Sequence, residues 1–367
     1  MYIIAIISRI WRLVETNILP VILWALIFNI AFGVAFYYAE RGVQEGLTLQ
    51  DSIWWSMVTM TTVGYGDFYA QTFVGRFLIS YPTMILGIGI IGYLVGLVAN
   101  FIIDLSVKKR RGEMEISFSN HIIICNLPSV EKILTVIQEL RAAGQFANAR
   151  FVIISDSVDE LPEKLTKEKI AFVKGSPAQE ETLMRANILQ CEGVIVLAEN
   201  PHDHRSDDRT FTIGSLVEMI SQEQNQPIRT ITELVGNQSI RNMKRATVDG
   251  FISGEGIVAR LLSQEFCTPG IHDIFDQLIS NVVGSEIYIY ETSLVGFPIV
   301  ALQKEVLEHE ANLQVIGIVH DGEQILNPDK RLTIAEGDRL IVLAESRSDL
   351  KSIEKDILAK QSAAGVV

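Results

Sequence analysis

Charge is scarce in the first third of the sequence, and cysteine is scarce throughout. Residues 16–39 and 77–103 contain no Asp, Glu, Lys or Arg. At about 1.5 Å of rise per residue, a helix over either stretch can cross a hydrocarbon core of roughly 30 Å. Cys125, Cys191 and Cys267 are far apart in the chain. That spacing excludes a disulfide framework and a CxxC metal site, and it is typical of a reducing compartment.

An excess of basic residues is also missing. The chain has 31 Lys and Arg against 44 Asp and Glu, a net charge of −13. Binding to nucleic acid needs clustered basic residues, so this class of partner is excluded. No stretch carries arginine at every third position, so we predict no voltage-sensor helix. From Lys108 onward the composition becomes that of a soluble α/β protein, which predicts more than one folding unit.

Basic residues at the ends of the uncharged stretches predict the orientation of the chain. Arg9 and Arg12 precede the first stretch, and the run 108–111 follows the second, whereas residues 40–76 have two arginines and no lysine. The positive-inside rule therefore predicts a multi-pass protein of the cell inner membrane with both termini in the cytoplasm. Residues 1–17 are interpreted as an amphipathic interfacial helix that leads into the first span.

A motif rich in glycine lies between the two spans. Residues 51–60 have the length of a short helix that re-enters the membrane, and its carboxyl end offers partial negative charge to a cation. Non-helical backbone at membrane depth is tolerated only where it lines a water-filled or ion-filled path. The next residues resemble the potassium-channel signature, and their carbonyl groups could replace the hydration shell of K⁺. The predicted selectivity filter is Thr62, Val63, Gly64, Tyr65 and Gly66. One chain supplies only part of such a ring, so the motif implies a homotetramer.

Glycines interrupt the second span and predict a gate. Glycine weakens a helix by about 1 kcal/mol relative to alanine. A hinge near Gly87 or Gly89 is the functional interpretation, with Gly92 and Gly96 lining the lower pore and Leu97 narrowing it. The alternative is that these small residues only permit close packing of helices.

The second part of the chain has the outline of a dinucleotide-binding unit. An apolar strand over 121–125, a turn, a helical segment and a second strand over 150–155 lead to an acidic residue. The turn at 126–131 lacks the three expected glycines, so a scaffold that binds no nucleotide is the alternative. The predicted nucleotide-binding residues are Asn126, Leu127, Pro128, Ser129, Asp156, Ser176 and Glu199.

Residues 171–188, the run 191–197 and the Gly-Asp-Arg-Leu turn at 337–340 resemble the RCK (regulator of potassium conductance) family. The resemblance implies an α-helical two-span pore module, a cytoplasmic Rossmann-like α/β lobe and a small α+β carboxyl-terminal lobe. It also implies a gating ring of eight RCK domains. The predicted boundaries are an interfacial helix at 1–17, the pore module at 18–107, a linker at 108–118, the Rossmann-like lobe at 119–252, crossover and linker helices at 253–283, and the carboxyl-terminal lobe at 284–360.

The same resemblance implies a divalent-cation site. Asp207 and Glu233 match two carboxylates that bind calcium in relatives, but Val235 replaces the third. A site with one carboxylate fewer should bind calcium more weakly. A further candidate group for a metal such as zinc is His202, Asp203 and His204. The alternative is a solvated acidic loop.

The leading hypothesis is therefore a potassium channel, surrounded by membrane lipids and gated by NAD or an adenine nucleotide, by Ca²⁺, or by both. Two alternatives remain open. One is a regulatory subunit that does not conduct, and the other is a membrane-anchored NAD-binding protein. No constellation of catalytic acid, base and nucleophile is recognisable, so an enzyme is not predicted.

Overall fold

The computed structural model describes residues 2–282, 284–309, 312–344 and 349–364. The chain divides into two compact units, and the division falls between Lys108 and Lys109. This is the position at which the predicted basic linker begins.

The first unit is helical. Its elements are α1 (Tyr2–Glu40), α2 (Leu49–Met60), a π-helical turn (Val74–Ser80) and α3 (Tyr81–Arg110). Two segments are long and apolar enough to cross a bilayer, Leu19–Glu40 with 22 residues and Val74–Arg110 with 37. Helix α1 continues through residue 17, where the interfacial helix was predicted to end. The separate role of residues 1–17 stays a prediction.

Helix α2 begins at a capping box. The Thr48 hydroxyl accepts a hydrogen bond from the Asp51 amide, and the Asp51 carboxylate accepts one from the Thr48 amide. These bonds satisfy amides that a helix terminus otherwise leaves free. The helix is held against α1 by Phe36 and Trp55, whose stacked rings have centroids 3.7 Å apart. A short helix is therefore fixed at both its end and its side.

A buried carboxylate joins the end of α1 to the start of the π-helical turn. Glu40 is fully buried and accepts hydrogen bonds from the Gln71 amide at 3.0 Å and the Thr72 amide at 3.0 Å. The Thr72 hydroxyl donates to it at 2.8 Å. A β-carbon on Gly75 would overlap the Glu40 carboxylate, so this contact requires glycine. We call these four residues the Glu40 anchor.

The second unit contains a six-stranded parallel sheet. Its strands are β1 (His121–Cys125), β2 (Arg150–Ser155), β3 (Ala171–Lys174), β4 (Gly193–Val196), β5 (Arg229–Leu234) and β6 (Gly250–Ser253). They are arranged in the order β3-β2-β1-β4-β5-β6. This is the doubly wound order, in which successive strands are added on one side of β1 up to β3 and on its other side from β4 onward. The Rossmann-like fold predicted from the sequence is confirmed.

Helices cover both faces of this sheet, which explains its near-continuous apolar strands. They are α4 (Val130–Ala142), α5 (Glu163–Lys167), α6 (Glu180–Arg185), α7 (Ser206–Glu223) and α8 (Ile240–Met243). In β1, Ile122 and Ile124 pack in the same core as Ile133 of α4. Ile123 points to the opposite face and packs in the core that contains Ile213 of α7.

Two further helices, α9 (Gly254–Cys267) and α10 (Ile271–Ile279), meet at a sharp corner. The Glu265 carboxylate accepts hydrogen bonds from the amides of Gly270 and His272, which fixes the start of α10. After α10 the chain contacts α4, because Glu139 accepts hydrogen bonds from the Ser280 hydroxyl at 3.1 Å and the Asn281 amide at 2.6 Å.

The carboxyl-terminal lobe is a small α+β fold. Its elements are β7 (Glu286–Glu291), α11 (Ile299–Glu308), β8 (Leu313–His320), β9 (Glu323–Leu326), β10 (Arg339–Ala344) and α12 (Asp349–Ala364). The antiparallel strand order is β7-β10-β8-β9. Leu302 and Val306 of α11 pack in one core with Leu340 and Val342 of β10. The predicted fold class is thereby confirmed for both lobes.

Candidate functional site

The residues after α2 have an alternating backbone conformation. Thr62, Gly64 and Gly66 have φ angles of +58°, +55° and +78°, whereas the φ angles of Val63 and Tyr65 are not positive. Successive carbonyls of an ordinary extended strand point to opposite sides. Alternation in the sign of φ turns them toward the same side. Positive φ is rare for a β-branched residue, so the conformation of Thr62 marks a functional constraint.

Side chains and amides hold this segment against α2. The amides of Val63 and Gly64 both donate to the Val58 carbonyl, at 3.0 and 3.3 Å. The Trp54 indole donates to the Asp67 carboxylate at 2.8 Å, and its ring stacks on Tyr65 with centroids 5.9 Å apart. The sequence analysis did not include Trp54 and Asp67 among the candidate residues, although the tryptophan precedes the motif and the aspartate ends it.

The predicted gate residues on α3 fall into two groups. A β-carbon on Gly87 would overlap the Met60 carbonyl group, so this glycine permits close packing of α3 against the end of α2. Gly89, Gly92 and Gly96 have open space around the β-carbon position, which is compatible with either a hinge or a pore-lining role. Leu97 is half-buried. The gate itself stays a prediction.

In a doubly wound sheet the ligand crevice lies outside the carboxyl ends of the strands where the strand order reverses, which here is between β1 and β4. We call this edge of the sheet the cleft. Asn126 follows β1 with a φ of +70°, a conformation that glycine or asparagine tolerates best. Asparagine thus replaces the first glycine of the usual phosphate turn. Its side-chain amide donates to the Leu197 carbonyl at 2.8 Å, which leaves the Asn126 Oδ1 atom facing the cleft.

The other predicted nucleotide residues surround this turn. Leu127 and Pro128 are half-buried. Ser129 is the N-cap of α4, and its hydroxyl accepts a hydrogen bond from the Lys132 amide at 3.2 Å. Ser176 follows β3, and its hydroxyl accepts from the Ala178 amide at 3.4 Å. Both hydroxyls therefore serve local turns, and their contact with a ligand stays a prediction.

Arg209 of α7 connects three of the predicted nucleotide residues. Its guanidinium bonds Asp156 at 2.6 Å, approaches Glu199 at 3.5 Å and donates from Nε to Asn126 Oδ1 at 3.3 Å. These partners follow the ends of β2, β4 and β1. Arg209 was missed by the sequence analysis, because nothing in its local sequence shows which side of α7 faces the cleft. We call Arg209 with these three partners the Arg209 cluster.

The two carboxylates predicted to bind a divalent cation are engaged by donors. Asp207 is buried and accepts hydrogen bonds from the amides of Val235 at 2.7 Å and Gly236 at 3.1 Å. Glu233 bonds the Lys132 ammonium through one oxygen and the Ala198 amide through the other. A cation at Glu233 would have to displace the ammonium of Lys132, and calcium ligation by Asp207 and Glu233 stays a prediction.

The loop between β4 and α7 holds the remaining candidate ligands. Asp203 forms an ion pair with Arg205 at 2.8 Å, and that guanidinium holds the pKa of the Asp203 carboxyl below its usual value. His202 and His204 are exposed. Among the residues that the structure describes, no group of three or more His, Cys, Asp or Glu side chains is arranged to hold a metal ion. Metal ligation by this loop stays a prediction.

Comparisons with known proteins assign both units of the chain. Residues 24–104 match the family model described as ion channel. Residues 117–229 match the family model described as calcium-activated potassium channel slowpoke-like RCK domain. Together the two matches cover more than half of the chain. The chain therefore combines a segment that matches ion channels with a segment that matches RCK domains, and it is a membrane protein.

The chain is also similar to individual proteins, one curated relative and one solved structure. The chain is 24% identical over 353 residues to the calcium-gated potassium channel TvoK of Thermoplasma volcanium, which covers 95% of this chain and 97% of TvoK. The solved GsuK channel is 18% identical with a TM-score of 0.46, over 92% of this chain and 58% of the GsuK chain. GsuK has also been solved bound to NAD and bound to ADP.

The second unit also resembles part of a larger assembly. The human SLO3 gating ring matches with a TM-score of 0.50 and 17% identity, over 65% of this chain and 46% of the SLO3 chain. This likeness concerns the fold alone. The chain spans less than two thirds of both the GsuK and the SLO3 chains, and nearly all of TvoK.

Proposed function

We propose that four copies of this chain form a potassium-selective pore. The observation that carries the proposal is the alternating backbone of Thr62–Gly66, because it turns consecutive carbonyl oxygens toward one side. Rings of such oxygens can replace the hydration shell of K⁺. A single chain contributes one segment of each ring, so several copies must meet around one axis. The relatives are ion channels, which favours transport over catalysis for this chain.

The same proposal places the chain in the cell inner membrane with lipids around α1 and α3. Both termini and the RCK domain lie in the cytoplasm, since basic residues flank the spans on that side. The carboxyl end of α2 then points toward the middle of the bilayer and offers partial negative charge to a cation. Eight RCK domains form the gating ring, and the gating-ring fold of the second unit supports oligomeric assembly.

The RCK domain receives the ligand that sets the opening of the pore. We propose NAD or an adenine nucleotide at the cleft beside β1 and β4, because Asn126 provides the positive-φ turn and Arg209 a cation there. Ca²⁺ is the second ligand class, since TvoK is calcium-gated. Shifting a gate from 1:99 to 99:1 needs about 5.5 kcal/mol, or about 0.7 kcal/mol for each of eight domains.

Flux of K⁺ into vesicles that contain the purified chain tests the pore. Gly64→Ala should lower K⁺ flux at least tenfold, because alanine at a φ of +55° costs about 1–2 kcal/mol in every copy. Gly46→Ala is the matched control. Gly46 has a φ of +85° in a loop outside the filter, and open space surrounds both glycines.

The flux of these variants and of the wild type distinguishes a conducting channel from a regulatory subunit. Unchanged flux in Gly64→Ala, or equal losses in both variants, would contradict the filter assignment. Folded wild-type protein that conducts no K⁺ with any ligand present would instead indicate a regulatory subunit.

A further inference from the structure

We infer that Arg209 is the residue that recognises the phosphate of a nucleotide in the RCK cleft, and that it does so by leaving Asp156. This inference rests on the proposed nucleotide role of the cleft. It adds the residue that binds the phosphate and a change of ion-pair partner on binding.

The first argument is the shortage of other phosphate donors. The turn at 126–131 contains no glycine, so close approach of backbone amides to a phosphate is restricted. The Lys132 amide at the start of α4 is already bonded to the Ser129 hydroxyl. The Lys132 ammonium is paired with Glu233. Among the described residues of the Arg209 cluster, the guanidinium is the group whose charge suits a phosphate.

The second argument is the position of Arg209. Its Nε atom bonds Asn126 Oδ1 at the turn, and its terminal nitrogen bonds Asp156 after β2. In a doubly wound fold the phosphate lies near the first of these places and the ribose hydroxyls near the second. Arg209 therefore bridges the two subsites. A planar guanidinium also matches phosphate oxygens with two parallel hydrogen bonds.

The third argument is that the ion pair between Arg209 and Asp156 is accessible enough to exchange partners. Arg209 is 26% exposed and Asp156 38% exposed, so water reaches the pair and its separation costs little. A phosphate then replaces the Asp156 carboxylate as the anion beside Arg209. The released carboxylate becomes an acceptor for ribose hydroxyls. Asn126 keeps the guanidinium in place during the exchange, because its own amide is fixed on the Leu197 carbonyl.

Calorimetric titration of the full chain in detergent with ADP and with adenosine tests the inference. Arg209→Gln should weaken ADP binding about tenfold or more, the usual scale for a charge-assisted hydrogen bond, and change adenosine binding less than threefold. The matched control is Arg141→Gln. Arg141 forms a comparable pair with Glu168 at 2.7 Å, at the other end of α4.

A second variant is expected to change the preference for ADP in the opposite direction, which a misfolded protein would not do. Asp156→Asn removes the anion that competes for Arg209, so the ratio of ADP affinity to adenosine affinity should rise. Equal ADP affinity in wild type and Arg209→Gln would overturn the inference. So would tighter binding of both ligands to Arg209→Gln, which would make the guanidinium a mere obstacle.

Failure of the inference and failure of the proposed function give different results. ADP binding that is insensitive to Arg209 overturns only the inference. Absence of ADP binding to the wild type overturns both the inference and the nucleotide part of the proposed function. The K⁺ flux of the same preparation reports separately on the pore.

Discussion

Replacing Glu40 by glutamine tests how strongly the Glu40 anchor stabilises the first unit. The carboxylate accepts four hydrogen bonds, from the Gln71 amide, the Thr72 amide, the Thr72 hydroxyl and, at 3.3 Å, the Gln44 side-chain amide. Hydrogen bonds to a charged group each contribute about 1.5–3 kcal/mol. Glutamine keeps the volume and one acceptor but presents an NH₂ group to at least one donor. We expect the free energy of unfolding to fall by about 2–4 kcal/mol, since one bond is lost and the others become neutral.

A denaturant titration of the purified chain measures this change, and two further variants sharpen it. Gly75→Ala should reproduce the loss without a change of charge, because its methyl group would displace the Glu40 carboxylate. Glu45→Gln removes the same charge at an exposed position of the nearby loop and should have little effect. Unfolding curves of Glu40→Gln and Gly75→Ala that coincide with the wild type would refute the reasoning.

Two other predictions concern α3 and the corner between α9 and α10. Gly87→Ala should destabilise the first unit, because the added methyl group would overlap the Met60 carbonyl. Gly89→Ala is the control, since open space surrounds that position. Unfolding curves of both variants measure the difference, and equal stability would contradict the packing role of Gly87. Hydrogen bonding to Glu265 and nearby acids raise the pKa of His272, and backbone hydrogen bonds lower the pKa of Glu265 to about 2. The stability that His272 contributes to this corner is therefore complete below its unfolded pKa near 6.5 and is lost as pH rises through its folded pKa. The stability that Glu265 contributes is present above about pH 4.5 and is lost as pH falls toward about 2. The protection factors for hydrogen exchange of the Gly270 and His272 amides should be largest between these limits, and protection that does not change with pH would contradict the assignment.

The filter could be proposed from the sequence because the information that sets its backbone conformation is local. The glycines at 64 and 66 permit positive φ by themselves, and the motif lies between two uncharged stretches that only a membrane explains. The positive φ of Thr62 could not be predicted, since a β-branched residue avoids that conformation in isolation. Contacts with α2 must overcome that preference.

The ligand cleft was predicted only in outline, because its charge pairs depend on the complete fold. Arg209 and Asp156 are 53 positions apart, and Lys132 and Glu233 are 101 positions apart. Because the sheet is parallel, the carboxyl ends of β2 and β5 lie at the same edge as the first turns of α4 and α7, which carry Lys132 and Arg209. Helical periodicity alone does not identify the residue of α7 that faces this edge. The role of Asn126 was more accessible, since asparagine often replaces glycine at positive φ.

Helix α4 carries contacts near both of its ends. Its first turn carries Lys132, which is tied to Glu233 at the cleft, and its last turns carry Glu139, which is tied to Ser280 and Asn281. Seven residues separate these two contacts, a distance of about 10 Å along a stiff helix. A tilt of α4 at the cleft would therefore also displace residues 280–281, which lead into the carboxyl-terminal lobe.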